Sequence, residues 1–382
     1  MAMRSFPEEP LDRGEIISRM FKAKNDDLNF SSGRVFGSMC TEPLDIGNRV
    51  HALFLEANLG NPGLCRGTES LDREIREAVG DLIHAPESVE SFSVGGATEG
   101  NIIALWRARN KSGKKKVLIP ESAHFSFKKA SDLLGLEPEY IPLDEKYNLD
   151  VSVLKEKLDD DTAAVVTIAG TTELGMIDPI EEIADAISDS GCDIHLHVDA
   201  AFGGFVIPFL KRLGHDLPKF DFEIDGVDTI AIDPHKMGLS TTPLGIFYSR
   251  ESFTQAVESP YLTGVHQKTI TGTRSSASIP AFWATMHSLG ISGYVEIVER
   301  CMENTHYLID KLGSLGLDKI VEPMMNIAAF HHEDPEQVVD KMENMGYNIS
   351  RTINPPGLRV VVMPHVTKES IDELVDKTGD IL

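Results

Sequence analysis

Three stretches of this 382-residue chain gather residue types that do chemistry. Ile230-Ala231-Ile232-Asp233-Pro234-His235-Lys236 sets a lysine just past a short apolar run, where a strand would open into a loop. Lysine is rarely buried unless paired, so alone such a lysine reads as a solvated loop residue, and with partners at the same strand ends as a candidate covalent nucleophile. His195-Leu196-His197-Val198-Asp199-Ala200-Ala201 places His195, His197 and Asp199 on one face of a strand, with Asp199 at its carboxyl end. That face reads either as a metal site of the H-x-H-x-D kind or as one buried carboxylate with histidines packed beneath it. The second reading is favoured, because Ala200-Ala201 is a floor for something flat rather than a further ligand. Gly95-Gly96-Ala97-Thr98-Glu99-Gly100-Asn101 runs a strand straight into a helix. Paired glycines, a hydroxyl and a helix N-terminus make an anion cradle, although a plain strand-to-helix turn has the same look. The stretch lacks the G-x-x-x-x-G-K-[ST] and G-x-G-x-x-G patterns, which disfavours a nucleotide.

Asp199 and Lys236 stand 37 residues apart at the same ends of sequential strands, and the cradle faces both. Pyridoxal phosphate requires that combination: a lysine for its aldehyde, a carboxylate for its ring nitrogen and a helix N-terminus for its phosphate. The elements that must position these groups are legible as well. Apolar runs at Phe92–Val94, Val117–Ile119, Ala163–Ile168, Ile194–Val198, Thr229–Ile232 and Gly245–Tyr248 alternate with helical patterns near 99–109, 125–134, 151–158 and 180–190. Strand–helix–strand spacing predicts parallel crossovers and a sheet buried on both faces, with ligands outside the carboxyl ends of its strands. A helix is expected from an N-cap at Ser70. Before it, Ile16, Ile17, Met20 and Phe21, then Ile46, Val50, Phe54 and Ala57, form the stripes of two helices in an N-terminal arm, residues 1–60. The large α/β domain spans 61–272 and a smaller α+β domain spans 273–382. The latter has a long helix from about Ser276 to Leu315, interrupted near Gly290–Gly293, strands at Asn326–His331 and Leu358–Met363, and helices at Pro335–Met345 and Lys368–Lys377.

Composition narrows the function classes. Thirty-six Lys+Arg against sixty Asp+Glu give a net charge of -24, a field that repels phosphate backbones and anionic membrane. Neither nucleic acid nor membrane is an expected partner. Cys40, Cys65, Cys192 and Cys301 form no C-x-x-C pair, the N-terminus lacks the apolar core of a signal peptide, and no run of about 18 apolar residues occurs. A cytoplasmic location is expected.

Gly95 to Asn101, His124 in Ser122-Ala123-His124, Gly170-Thr171-Thr172, His197-Val198-Asp199-Ala200-Ala201 and Asp233-Pro234-His235-Lys236 occur in the order seen in group II pyridoxal-phosphate decarboxylases. The chain resembles that family over nearly its whole length, most closely the archaeal L-tyrosine/L-aspartate decarboxylases. The resemblance implies a fold-type I, aspartate aminotransferase-like architecture and the cofactor pyridoxal 5'-phosphate. It implies that Lys236 carries the cofactor, Asp199 pairs with the ring nitrogen, and His124 and Ala201 cover the two ring faces. Ala97, Thr98 and His235 would serve the phosphate, and Thr172 would lie near the ring hydroxyl or the phosphate. Thr273 would reach the phosphate of the neighbouring subunit in a homodimer with shared active sites. Arg359 would bind the carboxylate of the amino acid substrate.

The sequence departs from the family pattern at Asp233, where relatives often carry Asn or Ser and where a carboxylate near a phosphate needs a donor such as His235 or Arg274. Animal relatives use a mobile-loop tyrosine as proton donor; residues 264–269 have none, which leaves His124, His266 and Tyr261 as candidates. Rival readings are a desulfurase, which needs a loop cysteine whereas Cys301 sits in a helical pattern, and a tRNA-dependent relative, which needs a basic face. A metallohydrolase on His195, His197 and Asp199 is the rival from another class. Aspartate as substrate calls for a second cation, from Arg34, Arg66, His266 or Lys268, and residues 58–63 are expected at the pocket.

Overall fold

The computed structural model describes residues 6–252, 257–258 and 266–381. Three helices open the chain: α1 (Arg13–Asp26), α2 (Asp45–Leu53) and α3 (Arg66–Leu82). The alternating part follows as β1 (Glu90–Val94), α4 (Ala97–Ser112), β2 (Lys116–Pro120), α5 (Ser126–Leu134), β3 (Glu137–Ile141), α6 (Val151–Lys157) and β4 (Thr162–Ile168). It continues with α7 (Ile180–Ser190), β5 (His195–Asp199), α8 (Ile207–Arg212), β6 (Thr229–Ile232) and β7 (Gly245–Ser249). These seven strands form one sheet in the order β1-β7-β6-β5-β4-β2-β3. Every residue of β4, β5 and β6 is buried, as a sheet covered on both faces demands.

The expected α/β architecture is present, with four differences. β7 runs antiparallel to both β6 and β1, because the 233–244 connection holds no helix and cannot make a parallel crossover. β3 is an additional edge strand; four of its five residues are not buried, so it gives no apolar run. α8 is likewise additional. α3 begins at Arg66 with Cys65 at its N-cap position, which places Ser70 inside the helix rather than at its start.

Beyond β7 come the two-residue strands β8 (Val257–Glu258) and β9 (His266–Gln267). The last part is α9 (Ser278–Gly313), β10 (Ile327–His331), α10 (Pro335–Asn344), β11 (Ser350–Thr352), β12 (Gly357–Val361) and α11 (Lys368–Gly379). α9 is broken at Gly290, whose φ of 59° and ψ of -176° lie outside helical space and suit a residue without Cβ. β10, β12 and β11 make an antiparallel sheet over a second core that includes Leu308, Phe330, Val360 and Ile371. Phe36, from the N-terminal region, is fully buried in that core, and the Phe36 carbonyl accepts from the Val361 N–H. Burying a phenylalanine fully contributes roughly 1.5–3 kcal/mol, so this contact anchors the arm. α1, in contrast, buries none of its residues against its own chain.

Candidate active site

The carboxyl ends of β1, β5 and β6 meet at one cavity of about 290 Å³. Ala97, Thr98, His124, Thr172, Asp199, Ala201, His235 and Lys236 all line it, so eight of the residues singled out in sequence come together. Thr273 and Arg359 are not among its walls. Met39, Asn101 and Asp233 are. Met39 carries no sequence signal, being brought in by the arm, whereas Asn101 closes the glycine-rich stretch and its role is invisible without the fold.

Asp199 is buried at the end of β5. Its Oδ1 accepts from the Ala201 N–H at 3.0 Å and its Oδ2 from Asn101 Nδ2 at 2.8 Å. Lys236 follows β6, and its Nζ lies 3.4 Å from Asp233 Oδ2. Asp233 Oδ1 in turn accepts from the Ala97 N–H at 2.7 Å, at the start of α4. Asp233 thus balances the ammonium and caps the helix, and it occupies the backbone donor that the resemblance gives to the phosphate. His235 donates from Nδ1 to the Leu244 carbonyl at 2.6 Å. Gly96, with φ of 126°, keeps the cradle open: a Cβ there would meet His235 and Asp233 at 3.5 and 3.7 Å.

His124 accepts from the Ser126 N–H at its Nδ1, over 3.3 Å, which leaves its proton on Nε2. Burial lowers its pKa, and the Asp199 charge works against that shift. A recess of about 420 Å³ adjoins the cavity, sharing His124, Phe125 and Thr172 and reaching Tyr140, Tyr147 and Ile353.

Arg359 lies on β12, buried, with Nη1 donating to Ser350 Oγ at 2.9 Å and to the Gly37 carbonyl at 3.4 Å. Its Nε and Nη2 have no partner among the described residues. Desolvation lowers its pKa to about 10. Thr273 sits in an exposed segment docked on α4 through Glu99, which accepts from the Ile270 and Thr271 N–H groups at 2.8 and 3.2 Å. Tyr261 lies outside the described residues, as does the side chain of His266. Arg34 is engaged with Glu373 and Tyr347, and Lys268 with Glu90.

His195 and His197 direct ring nitrogens to Thr229 and Asn101, in the packed layer behind Asp199 rather than toward a shared ligand point. Among the described residues, the group spaced to hold an ion is His84, Asp221 and Glu223, elsewhere in the fold. Cys301 is buried in α9 with a thiol pKa raised to about 12 by burial, which suits packing and not sulfur chemistry.

The donor set fits pyridoxal phosphate: an amine, a carboxylate, an imidazole, a small residue and a hydroxyl at a helix N-terminus line one cavity. Comparison with known proteins agrees. Residues 68–331 match the family described as "Pyridoxal-dependent decarboxylase conserved domain". The chain is 44% identical over 355 residues to a "Probable L-tyrosine/L-aspartate decarboxylase" of Methanothermobacter thermautotrophicus, covering 91% of this chain and 97% of that one. It is 42% identical to an "L-aspartate/L-glutamate decarboxylase" of Pyrococcus horikoshii, covering 99% of each. In structure it is similar to the sphingosine-1-phosphate lyase of Burkholderia pseudomallei, with a TM-score of 0.90 at 25% identity over 99% of this chain and 92% of that one. The glutamate decarboxylase of Lactobacillus brevis shares the fold, with a TM-score of 0.89 at 19% identity over 100% and 94% of the two chains.

Proposed function

The chain belongs to the pyridoxal-dependent decarboxylase family, and from that premise we propose how its own residues carry the reaction. It is a fold-type I enzyme that uses pyridoxal phosphate to decarboxylate an amino acid. When bound, the cofactor supplies an electron sink conjugated to the substrate Cα. Lys236 holds its aldehyde. Asp199 would keep a proton on the ring nitrogen, its carboxylate oriented by the Asn101 and Ala201 donors. His124 and Ala201 cover the ring faces, Thr98, His235 and the N-terminal turn of α4 hold the phosphate, and Thr172 contacts the ring periphery. Asp233 accepts the positive charge of Lys236 and keeps the amine in place before the cofactor arrives.

Arg359 anchors the substrate carboxylate. Two buried, unpartnered guanidinium donors are what an anion site needs, and a carboxylate would match their planar fork. Of the three candidate proton donors, His124 is the one among the described residues of the cavity, with its proton on Nε2, and it would give that proton to Cα in place of the carbon dioxide that leaves. L-aspartate is the substrate that the names of the relatives share, with L-tyrosine the second.

A homodimer completes the reading. The exposed stripe of α1, Ile16, Ile17, Met20 and Phe21, needs a cover, and Thr273 is exposed where a partner's phosphate can use it. The division into 1–60, 61–272 and 273–382 is proposed on the separate core under the β10-β12-β11 sheet. Among the described residues no helix is long and apolar enough to cross a membrane, and the cytoplasm is the proposed location.

The observation that carries the proposal is the meeting of Lys236 and Asp199 in one cavity. Parallel assays for β-alanine and tyramine test it, and Lys236→Ala should abolish both turnover and the visible absorption of the bound cofactor. Parent enzyme that forms neither amine would refute the substrate assignment; full activity in the variant would refute the role of Lys236.

A further inference from the structure

We propose that Asn101 and His197 are positioning residues for Asp199, the middle links of a buried hydrogen-bond chain that runs in one direction from β6 and β5 to the carboxylate. The inference rests on the reading of Asp199 as the partner of the ring nitrogen, and it assigns a purpose to residues which that reading leaves idle.

Asn101 lies in the first turns of α4 and has no exposed surface. Its Nδ2 donates to Asp199 Oδ2 at 2.8 Å and to Ser126 Oγ at 3.0 Å, and its Oδ1 faces His197 Nε2 at 2.9 Å. A carboxylate only accepts, so the amide must turn its NH2 to Asp199 and its oxygen to His197. His197 must then carry its proton on Nε2. Its Nδ1 is left to accept, and Thr229 Oγ1, 2.9 Å away, must donate to it. The Thr229 oxygen is then free to accept from His195 Nε2 at 2.8 Å. Each tautomer follows from the one before, and the first cause is the charge on Asp199.

The far end makes no competing demand, since His195 Nδ1 is 3.7 Å from Asp228 Oδ2, beyond hydrogen-bond range. Both imidazoles are buried, and burial pushes each pKa down to about 3, so they stay neutral donors and acceptors. Phe127 packs its ring 5.9 Å from that of His197 and closes the layer. Asn101 reaches the other side of the site as well, because the Ser126 it bonds donates its N–H to His124. Removing Asn101 frees one oxygen of Asp199 and weakens the hold on the ring-stacking imidazole together.

The first test uses the cofactor-free chain labelled with 15N-histidine. Imidazole NMR between pH 5 and 8 should show His195 and His197 neutral with the proton on Nε2, the signals assigned by their loss in His195→Gln and His197→Gln. A His197 proton on Nδ1, or a charged ring at pH 6, overturns the proposal. The second test titrates pyridoxal phosphate into each variant. Asn101→Leu and His197→Phe should weaken binding roughly ten- to hundredfold and lower kcat with KM held, whereas His197→Gln, which keeps a donor near the Nε2 position, should stay near the parent. Parent-like affinity in a folded Asn101→Leu overturns it; if that variant does not fold, the NMR result on the parent decides. A parent chain that binds no pyridoxal phosphate would sink the proposed function, while the tautomers would still judge the chain of bonds.

Discussion

Asp199 and Lys236 share a cavity, yet their charges are compensated by different means. Lys236 meets an opposite charge in Asp233; Asp199 meets neutral donors, and so remains available to a cation brought in by a ligand. Asp199→Ala should therefore lower turnover by roughly 10²- to 10³-fold, the range for removing one preorganised electrostatic partner, and steady-state kinetics at saturating substrate check it. Unchanged kcat would take the residue out of the mechanism. Arg359 is a different case, because two of its buried nitrogens lack acceptors among the described residues and the free protein bears that cost. Arg359→Met should raise KM at least roughly tenfold and leave thermal stability level or higher, since an unpaired buried charge is exchanged for an apolar side chain of similar length. A large fall in melting temperature would show instead that the guanidinium holds the fold together. Asp199 is visible in the sequence by type and position, whereas Arg359 is reached through the family resemblance; the unpartnered state of its Nε and Nη2 is visible in neither, because it depends on how β12 packs against the arm at Gly37.

At the scale of elements, β5 and β6 form the buried wall behind the site, and β5 carries two neutral histidines. The unfolded chain takes up protons on both near the ordinary value of 6.5, whereas the folded chain resists until about 3. Between those values the unfolded state binds more protons, so stability is present above 6.5 and is lost as pH falls. The fully buried carboxyl of Asp178, raised to about 6 by desolvation, acts in the opposite sense between 3.8 and 6. Two histidines outweigh one carboxyl. Denaturant midpoints should thus fall from pH 6.5 toward 4.5, and a His195→Gln/His197→Gln double variant should show a flatter profile; equal slopes would contradict the assigned burial. Pattern located β5 and β6 well, β6 as the short apolar run Thr229–Ile232 and β5 by the alternation of Leu196 and Val198 with His195, His197 and Asp199. It missed β3, whose exposed residues give no alternation, and it missed the reversal at β7, which depends on what the connecting loop lacks rather than on the strand itself.

At the scale of the whole molecule, α1 has an Asp12 N-cap and an apolar stripe, but it buries none of its side chains against the described residues. Met20 and Phe21, 58% and 67% exposed, make it the proposed grip on a second copy. Phe21→Asp should shift the sedimentation of the chain toward the monomer and reduce activity with it, because Thr273 would no longer reach a neighbouring site. A dimer that survives this change, with activity intact, would remove α1 from the interface. The sequence alone determined the alternating architecture, the cofactor class and, as local signals at strand ends, Thr98, Asp199, Ala201 and Lys236, while Ala97, His124, Thr172 and His235 come through the resemblance carried by the ordered motifs. Only the tertiary structure decided that Asp233 takes the Ala97 donor, that Arg359 keeps two open donors, and that Asn101 joins Asp199 to His197. Those contacts link positions 96 to 136 residues apart, and separation of that size leaves no periodic trace in a chain.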